Sequence, residues 1–178
     1  MKQILFTILF ICIGSSYATE VPKLNKTYEN TRFSFRVKYS SKFFKLHEAY
    51  MDYTLMEKKV PKVYRGKVYS SANFTVQIEN TRTDSLEEKL EEYKTKMRRS
   101  RNFENTEFSR IEKVNFAGVD AYLIEGKAKI YTFYGRWKLY LFIYKNRYYE
   151  VSGTVQKQRY EELLPIFDSM FASFELLD

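Results

Sequence analysis

The alternation of apolar and polar residues divides most of the chain into strands. Phe33–Tyr39 alternates rings or aliphatic side chains with polar ones, which is typical of a strand with one buried face. Similar patterns, separated by turn-forming residues, predict further strands over Asp52–Lys58, Ala72–Glu79, Glu107–Val114 and Val119–Ile130, with turns at 40–44, 115–118 and around Tyr134-Gly135, and a loop at Lys58–Lys67.

The C-terminal stretch combines a hairpin with an amphipathic helix. Trp137–Tyr144 and Tyr148–Val155 are predicted strands, joined by the polar turn Lys145-Asn146-Arg147. The apolar residues that follow recur at the period of a helix, which we expect over about 158–174: Tyr160, Leu163, Leu164, Phe167, Met170, Phe171 and Phe174. A hairpin followed by such a helix predicts a sheet with a helix on its face.

A second helix is predicted to begin after Ser85. Ser85 followed by Glu88 fits a capping box, and apolar residues follow at helical spacing. Acidic side chains crowd the first turns and basic side chains the last, which matches the helix dipole. Together the elements predict an α+β fold in which an antiparallel sheet is flanked by helices.

The N-terminal residues have the pattern of an export signal. Lys2 precedes the apolar run Ile4–Ile13, and the small residues Ser16 and Ala18 follow at the spacing of a cleavage site. A membrane span needs about 20 apolar residues, more than this run supplies. We expect residues 1–18 to be a secretory signal, 19–29 a flexible leader and 30–178 one domain.

The single cysteine, Cys12, lies inside this expected signal. It lacks the small preceding residue of a lipid-modified cysteine, so we expect a periplasmic or secreted protein without a lipid anchor at Cys12. After cleavage the chain has no thiol for a disulfide, a nucleophile or a metal site.

Composition adds a basic balance and many rings. The 178 residues carry a formal net charge of +8, and loss of Lys2 with the signal leaves +7. In an exported protein such a surplus favours anionic lipid, acidic polysaccharide or a partner's acidic face over nucleic acid. The aromatic content of 18% favours extensive sheet, because rings suit pleated, half-buried surfaces.

Two basic clusters are the candidate partner-binding residues. The first lies in the predicted loop between the second and third strands and the second at the end of the first predicted helix: Lys58, Lys59, Lys62, Arg65 and Lys67, then Lys96, Arg98, Arg99 and Arg101. The first could lie on anionic lipid or polysaccharide. The alternatives are a solvated loop that deters edge pairing and, for the second, helix-end electrostatics.

Other polar side chains give little support for catalysis. His47 is the only histidine and we expect it in a loop at the surface, since triads and metal sites need converging groups. Glu125 and Glu150 are strand acids that could form a glycosidase pair, although alternation usually directs such groups to solvent. Several tyrosines could line a groove for a sugar or peptide, or pack across strands: Tyr131, Tyr134, Tyr140, Tyr144, Tyr148 and Tyr149.

Four stretches resemble the PsbP-like family of exported proteins. They are Asn30–Phe35 with Tyr39, Asn115–Tyr122, Tyr148–Thr154 and Phe167–Phe174. The resemblance implies an antiparallel sheet sandwiched by helices and a non-enzymatic accessory or partner-binding role. Nothing in the chain matches the histidines or carboxylates proposed as metal ligands in the photosynthetic members, so the resemblance implies no metal site.

These observations lead to one functional expectation with two alternatives. We expect an exported monomer without a cofactor that docks on a partner protein or an anionic envelope component through a basic, tyrosine-rich surface, and that is not an enzyme. One alternative is a carrier of a small apolar or aromatic ligand held between sheet and helix. The other is a glycan hydrolase that uses strand carboxylates.

Overall fold

The computed structural model describes residues 23–49, 52–58, 62–64, 67–69, 72–83, 85–130 and 133–178. The expected signal lies outside these residues. Twelve strands and two helices occur in the described ranges: β1 Lys26–Asn30, β2 Phe35–Tyr39, β3 Phe44–Ala49, β4 Asp52–Glu57, β5 Lys62–Tyr64, β6 Lys67–Tyr69, β7 Ala72–Asn80, α1 Leu86–Arg99, β8 Phe103–Phe116, β9 Val119–Ile130, β10 Phe133–Tyr144, β11 Arg147–Gln156, α2 Tyr160–Ala172 and β12 Glu175–Leu176.

The strands build one large antiparallel sheet and two small ones. The central sheet has seven strands in the order β3-β4-β7-β11-β10-β9-β8. Strands β1, β2 and β12 form a three-stranded sheet, and β5 pairs with β6. The α+β class is therefore confirmed, although sheet dominates the fold.

Both faces of the central sheet carry a core, because alternate residues of each strand point to opposite sides. On one side, here the α2 face, Phe142 and Tyr149 pack with rings of α2 and of the three-stranded sheet. On the other, the α1 face, Leu139 and Leu141 pack with Tyr93 and its neighbours on α1. This explains the two-sided apolar pattern of β10.

The predicted hairpins at 145–147 and 115–118 are confirmed. Lys145 and Asn146 have φ values of 47° and 58°, and Ala117 and Gly118 have 51° and 88°. Positive φ at two successive residues gives a tight turn whose twist matches that of the flanking strands. The local sequence is sufficient to place these reversals.

Four other expectations are wrong. Residues 26–29, expected in the flexible leader, belong to β1 and pair with β2, and His47 lies in β3 rather than in a loop. The expected loop at Lys58–Lys67 contains β5 and the start of β6. Tyr134 and Gly135 lie within β10, since Phe133 already pairs with Ile130. These segments are polar or short, and each forms a hairpin with the neighbouring strand although its own pattern is weak.

Helix α1 begins as the capping pattern predicts. The Ser85 hydroxyl accepts a hydrogen bond from the Glu88 backbone N–H at 3.2 Å. The Glu88 carboxylate accepts one from the Thr83 hydroxyl at 2.7 Å instead of closing the box on Ser85. The backbone N–H of Ser85 donates to Thr83 Oγ1 at 3.1 Å, so the 83–88 segment supplies its own polar partners.

Loss of this cap should have a measurable cost. We expect Ser85→Ala to lower the free energy of unfolding by about 1 kcal/mol, because the Glu88 N–H loses its acceptor. Urea unfolding followed by circular dichroism measures the change. Thr95→Ala, an exposed position within the same helix, is the control and should cost nothing, since alanine favours helix. Equal effects of the two variants would contradict the capping role.

Candidate binding surface

One end of the central sheet gathers the predicted basic residues. Trp137 pairs with Thr154, which pairs with Asn73, which in turn pairs with Met56, so these four residues form one row across the sheet. Lys58 lies two residues after Met56, and Met97, near the end of α1, packs in the same core cluster as Trp137. We call this end of the sheet the basic end; it carries Lys58, Arg98, Arg99, Arg101, Lys127, Lys129 and Lys157.

The arginines at the end of α1 remain exposed. Lys89 and Lys94 pair with Glu92 and Glu91, both at 2.6 Å. Arg98, Arg99 and Arg101 make no ion pair with any residue that the structure describes, and all three are exposed. The Arg98 guanidinium lies 5.7 Å from the centre of the Phe108 ring. The α1 terminus therefore presents charge that its own surroundings do not neutralise.

The first basic cluster is only partly described. Lys58 is exposed, and its Nζ donates a hydrogen bond to the Ser41 carbonyl at 2.5 Å. Lys62 and Lys67 are the first residues of β5 and β6, at opposite ends of that hairpin, and their side chains fall outside the description. Lys59 and Arg65 also lie outside the described residues. A binding role for this cluster stays a prediction.

A cleft of about 460 Å³ opens on the basic end next to β8. It is lined by Asn105, Thr106, Glu107, Lys127, Ala128, Tyr134 and Lys157. The Tyr134 side chain is 53% exposed, and it lies across β9–β10 from Lys129. Lys127 pairs with Glu107 at 2.8 Å, and Lys129 pairs with Glu104 at 2.6 Å.

The cleft is joined to α1 by an irregular part of β8. The pairing of β8 with β9 shifts between Glu104 and Glu107, and Asn105 has a left-handed φ of 54°. Within this bulge the Thr106 hydroxyl is placed to donate to the carbonyls of Met97, at 3.3 Å, and Phe103, at 3.2 Å. The bulge thus fixes one wall of the cleft against the end of α1.

A buried carboxylate lies between α1 and the sheet. Glu150 is 7% exposed, and it accepts hydrogen bonds from the Tyr148 hydroxyl at 3.0 Å and from Lys96 Nζ at 3.1 Å. Lys96 also lies 3.9 Å from Glu79. Lys96, which the sequence placed in the second basic cluster, is therefore engaged in holding α1 on the sheet.

Burial changes the acidity of the tyrosines around this carboxylate. Burial, and secondarily the negative charge of Glu150, raises the pKa of Tyr148 and of Tyr93 well above the ordinary value. The Trp137 indole opposes the Tyr93 shift slightly, although Trp137 Nε1 makes no hydrogen bond of normal geometry with the described residues. The adjoining cleft measures about 230 Å³, below the roughly 300 Å³ of common ligand pockets.

The two strand carboxylates considered for glycoside chemistry lie on opposite faces of the sheet. Glu150 contacts α1 through Lys96. Glu125 alternates with Ile124 of the α1-side core, so it points to the α2 face, where it lies 3.8 Å from Arg110. The two groups cannot flank one substrate, and the suggestion of a hydrolase built on them is wrong.

The tyrosines do not form a common groove. The Tyr149 hydroxyl donates to the Phe33 carbonyl at 2.7 Å on the α2 face, while Tyr148 points to the α1 face. Tyr140 stacks on Phe116 with ring centres 4.0 Å apart. Tyr131 lies outside the described residues. Of the set's described members Tyr134 alone is exposed, so a tyrosine-rich surface is not found there.

The remaining sequence candidates can be placed directly. His47 is exposed on the edge strand β3. In the ranges covered by the structure, no three His, Cys, Asp or Glu side chains converge as a metal site would require. The described helices are too short or too polar to cross a bilayer.

Taken together, the elements define a sheet-dominated α+β sandwich, and comparison with solved structures identifies its fold. The PsbP protein of Synechocystis sp. PCC 6803 matches with a TM-score of 0.62 at 13% identity, over 88% of this chain and 95% of that one. The Ran-binding protein Mog1p of Saccharomyces cerevisiae matches with a TM-score of 0.58 at 10% identity, over 88% and 97%. The chain therefore has the PsbP-like fold, as the sequence resemblance predicted.

A third solved structure has a similar fold. A protein from Bacteroides thetaiotaomicron VPI-5482 matches with a TM-score of 0.57 at 14% identity, over 88% of this chain. This chain spans half of that protein's length. No family model and no curated protein matches the sequence. At these identities the structural likeness establishes the fold alone.

Proposed function

We propose that this protein is an exported, non-enzymatic accessory protein that docks on an anionic partner through its basic end. The observation that carries the proposal is the exposed arginine group at the end of α1. Arg99 and Arg101 find no carboxylate among the described residues, whereas cations in the middle of the same helix are paired. Charge left unneutralised on one side of a protein steers it towards a surface of opposite charge.

The local charge balance supports this direction of docking. Six described cations surround the end of α1 and the neighbouring cleft, against the carboxylates of Glu104 and Glu107: Arg98, Arg99, Arg101, Lys127, Lys129 and Lys157. Lys58 lies at the same end of the sheet, and the β5–β6 segment follows it in the chain. The cations predicted from sequence in that segment would enlarge the same surface.

The fold is compatible with a docking role. The yeast protein of the same fold is a Ran-binding protein, so the architecture serves protein recognition in at least that case. Fold does not determine function, and the basic end is therefore the stronger argument. The expected signal at residues 1–18 would place the partner in the envelope or outside the cell.

The carrier alternative receives less support from the packing. Between the sheet and α2, Phe74 lies 5.0 Å from Phe171 and 6.4 Å from Phe167, measured between ring centres. Phe44 lies 6.2 Å from Phe167. These rings fill the layer in which a ligand would lie.

Charge reversal at the end of α1 tests the proposal. The chain from Thr19 onward is titrated with vesicles of equal parts phosphatidylglycerol and phosphatidylcholine, and with polygalacturonate as an acidic polysaccharide. Arg99→Glu with Arg101→Glu should weaken binding to at least one probe by about tenfold or more, since each basic residue near an anionic surface contributes about 1 kcal/mol.

The matched control reverses two charges at the opposite end of the sheet. Arg82 follows β7 and Lys145 lies in the β10–β11 turn, and both are exposed. Arg82→Glu with Lys145→Glu should change binding less than twofold. Raising sodium chloride from about 50 to about 300 mM should weaken wild-type binding. Equal losses in the two variants, or binding that salt does not affect, would exclude docking through the basic end.

A further inference from the structure

The geometry points to the cleft beside β8 as a binding site for a carboxylated sugar unit of an acidic polysaccharide. This inference rests on the proposed function in one respect, because it assigns a ligand class to part of the basic end. The cleft combines an exposed ring, two ammonium groups and hydrogen-bonding side chains in about 460 Å³, which falls within the roughly 300–1,000 Å³ of small-molecule sites.

The exposed ring is the first requirement for a sugar. Tyr134 is 53% exposed, whereas nearby Phe133 and Trp137 of the same strand pack in the α1-side core. Strand alternation places Tyr134 on the α2 face with Arg136, whose guanidinium lies 3.8 Å from the centre of the Tyr160 ring. The backbone of β10 thus holds Tyr134 at the cleft, where its ring can cover the apolar C–H face of a sugar.

The charges favour a single carboxylate. Lys157 is exposed and makes no ion pair with the described residues. Lys127 forms an ion pair with Glu107, with 2.8 Å between its Nζ and the carboxylate oxygen. The cleft therefore has a surplus of one positive charge, which suits one carboxylate per sugar unit.

Polar side chains complete the recognition of hydroxyl groups. The Asn105 carboxamide is exposed and makes no hydrogen bond within the described residues. The Thr106 hydroxyl, oriented by the Met97 and Phe103 carbonyls, keeps its lone pairs as acceptors. The Glu107 carboxylate can accept hydrogen bonds from sugar hydroxyls, as the carboxamide oxygen of Asn105 also can. A pyranose ring supplies several such hydroxyl groups beside its carboxylate.

A short defined saccharide tests the site. Tetragalacturonate is titrated into the chain from Thr19 onward by calorimetry, and amide shifts are followed by NMR, with a neutral galactose tetrasaccharide for comparison. We expect tetragalacturonate alone to bind, with shifts at Tyr134, Lys127 and Lys157. Tyr134→Ala and Lys157→Gln should each weaken binding about tenfold, while Tyr134→Phe, which keeps the ring, should stay within about twofold.

Several outcomes would overturn the inference: equal binding of the neutral saccharide, wild-type affinity of Tyr134→Ala, or shifts confined to other parts of the protein. Unchanged thermal unfolding of Tyr134→Ala shows that its loss of binding is local.

The Arg99→Glu, Arg101→Glu variant separates the two proposals, because it should still bind tetragalacturonate within about threefold. If the wild type binds tetragalacturonate while charge reversal at α1 leaves vesicle and polymer binding unchanged, docking through the α1 arginines fails and the sugar site stands.

Discussion

Gly126→Ala is expected to lower the free energy of unfolding by about 3 kcal/mol or more. A Cβ atom at this position would lie 2.4 Å from Cζ2 of Trp137 and 2.8 Å from the backbone oxygen of Glu107. Trp137 is 3% exposed and its ring is held edge-on by Phe103 and Phe108, and the Glu107 carbonyl belongs to the bulged part of β8. Relief of the contact must therefore displace both the indole and the edge strand.

Gly118→Ala is the matched comparison for this effect. Gly118 has a φ of 88° and an added Cβ would meet nothing within 4 Å, so its substitution costs only backbone strain, about 1 kcal/mol. Chemical unfolding of the two variants compares a steric cost with a conformational one. If Gly126→Ala proved no worse than Gly118→Ala, the packing of Trp137 against β9 would be looser than the distances indicate.

The sequence predicted best those elements whose signals are local. Ser85 and the apolar spacing that follows located α1, and the Lys145-Asn146 turn located the β10–β11 hairpin. The apolar period after the hairpin located α2, which packs so closely that a Cβ on Gly153 would lie 2.9 Å from Phe167 Cγ. Each of these elements is specified by residues that lie close together in the chain.

The elements that were missed either pair with a strand far away in the sequence or carry a weak local pattern. Strand β12 pairs with β2 across about 140 residues, and the Arg36 guanidinium bonds the Glu175 carboxylate there. Strand β1 pairs with the neighbouring β2, but it is polar and mostly exposed, so its sequence resembles a linker.

The candidate binding surface likewise contains residues that the sequence revealed and residues that it did not. The arginines at the end of α1 were found because charge clusters are visible along a helix. The role of Lys96 was missed, because its partner Glu150 is 54 residues away and is brought under α1 by the order of the sheet. Tyr134 and Lys157 share a cleft only because β10 and β11 are paired neighbours, so their combination could not be seen in the sequence.

Alkaline pH should destabilise this protein steeply. Burial raises the pKa of Tyr93 and Tyr148 in the folded chain, and Glu150 adds to both shifts. Because the folded pKa lies above the unfolded value of about 10, the contribution of each tyrosine is complete below pH 10 and is lost as pH rises beyond it. Well above pH 10, where the unfolded phenol is ionised, each buried phenol reduces the free energy of unfolding by about 1.4 kcal/mol per pH unit, so the pair accounts for about 3.

The pH dependence of variants identifies which phenols cause the loss. Urea unfolding between about pH 9 and 11 should give an average slope that falls by about 0.7 kcal/mol per pH unit in Tyr93→Phe and equally in Tyr148→Phe, because the unfolded phenol is half ionised near pH 10. Tyr148→Phe also loses the hydrogen bond to Glu150, which lowers stability at every pH, so the slope rather than the absolute value is diagnostic. Tyr134→Phe removes a phenol that is 53% exposed and should leave the slope unchanged. If all three variants kept the wild-type slope, the alkaline loss would come from groups other than the buried pair beneath α1.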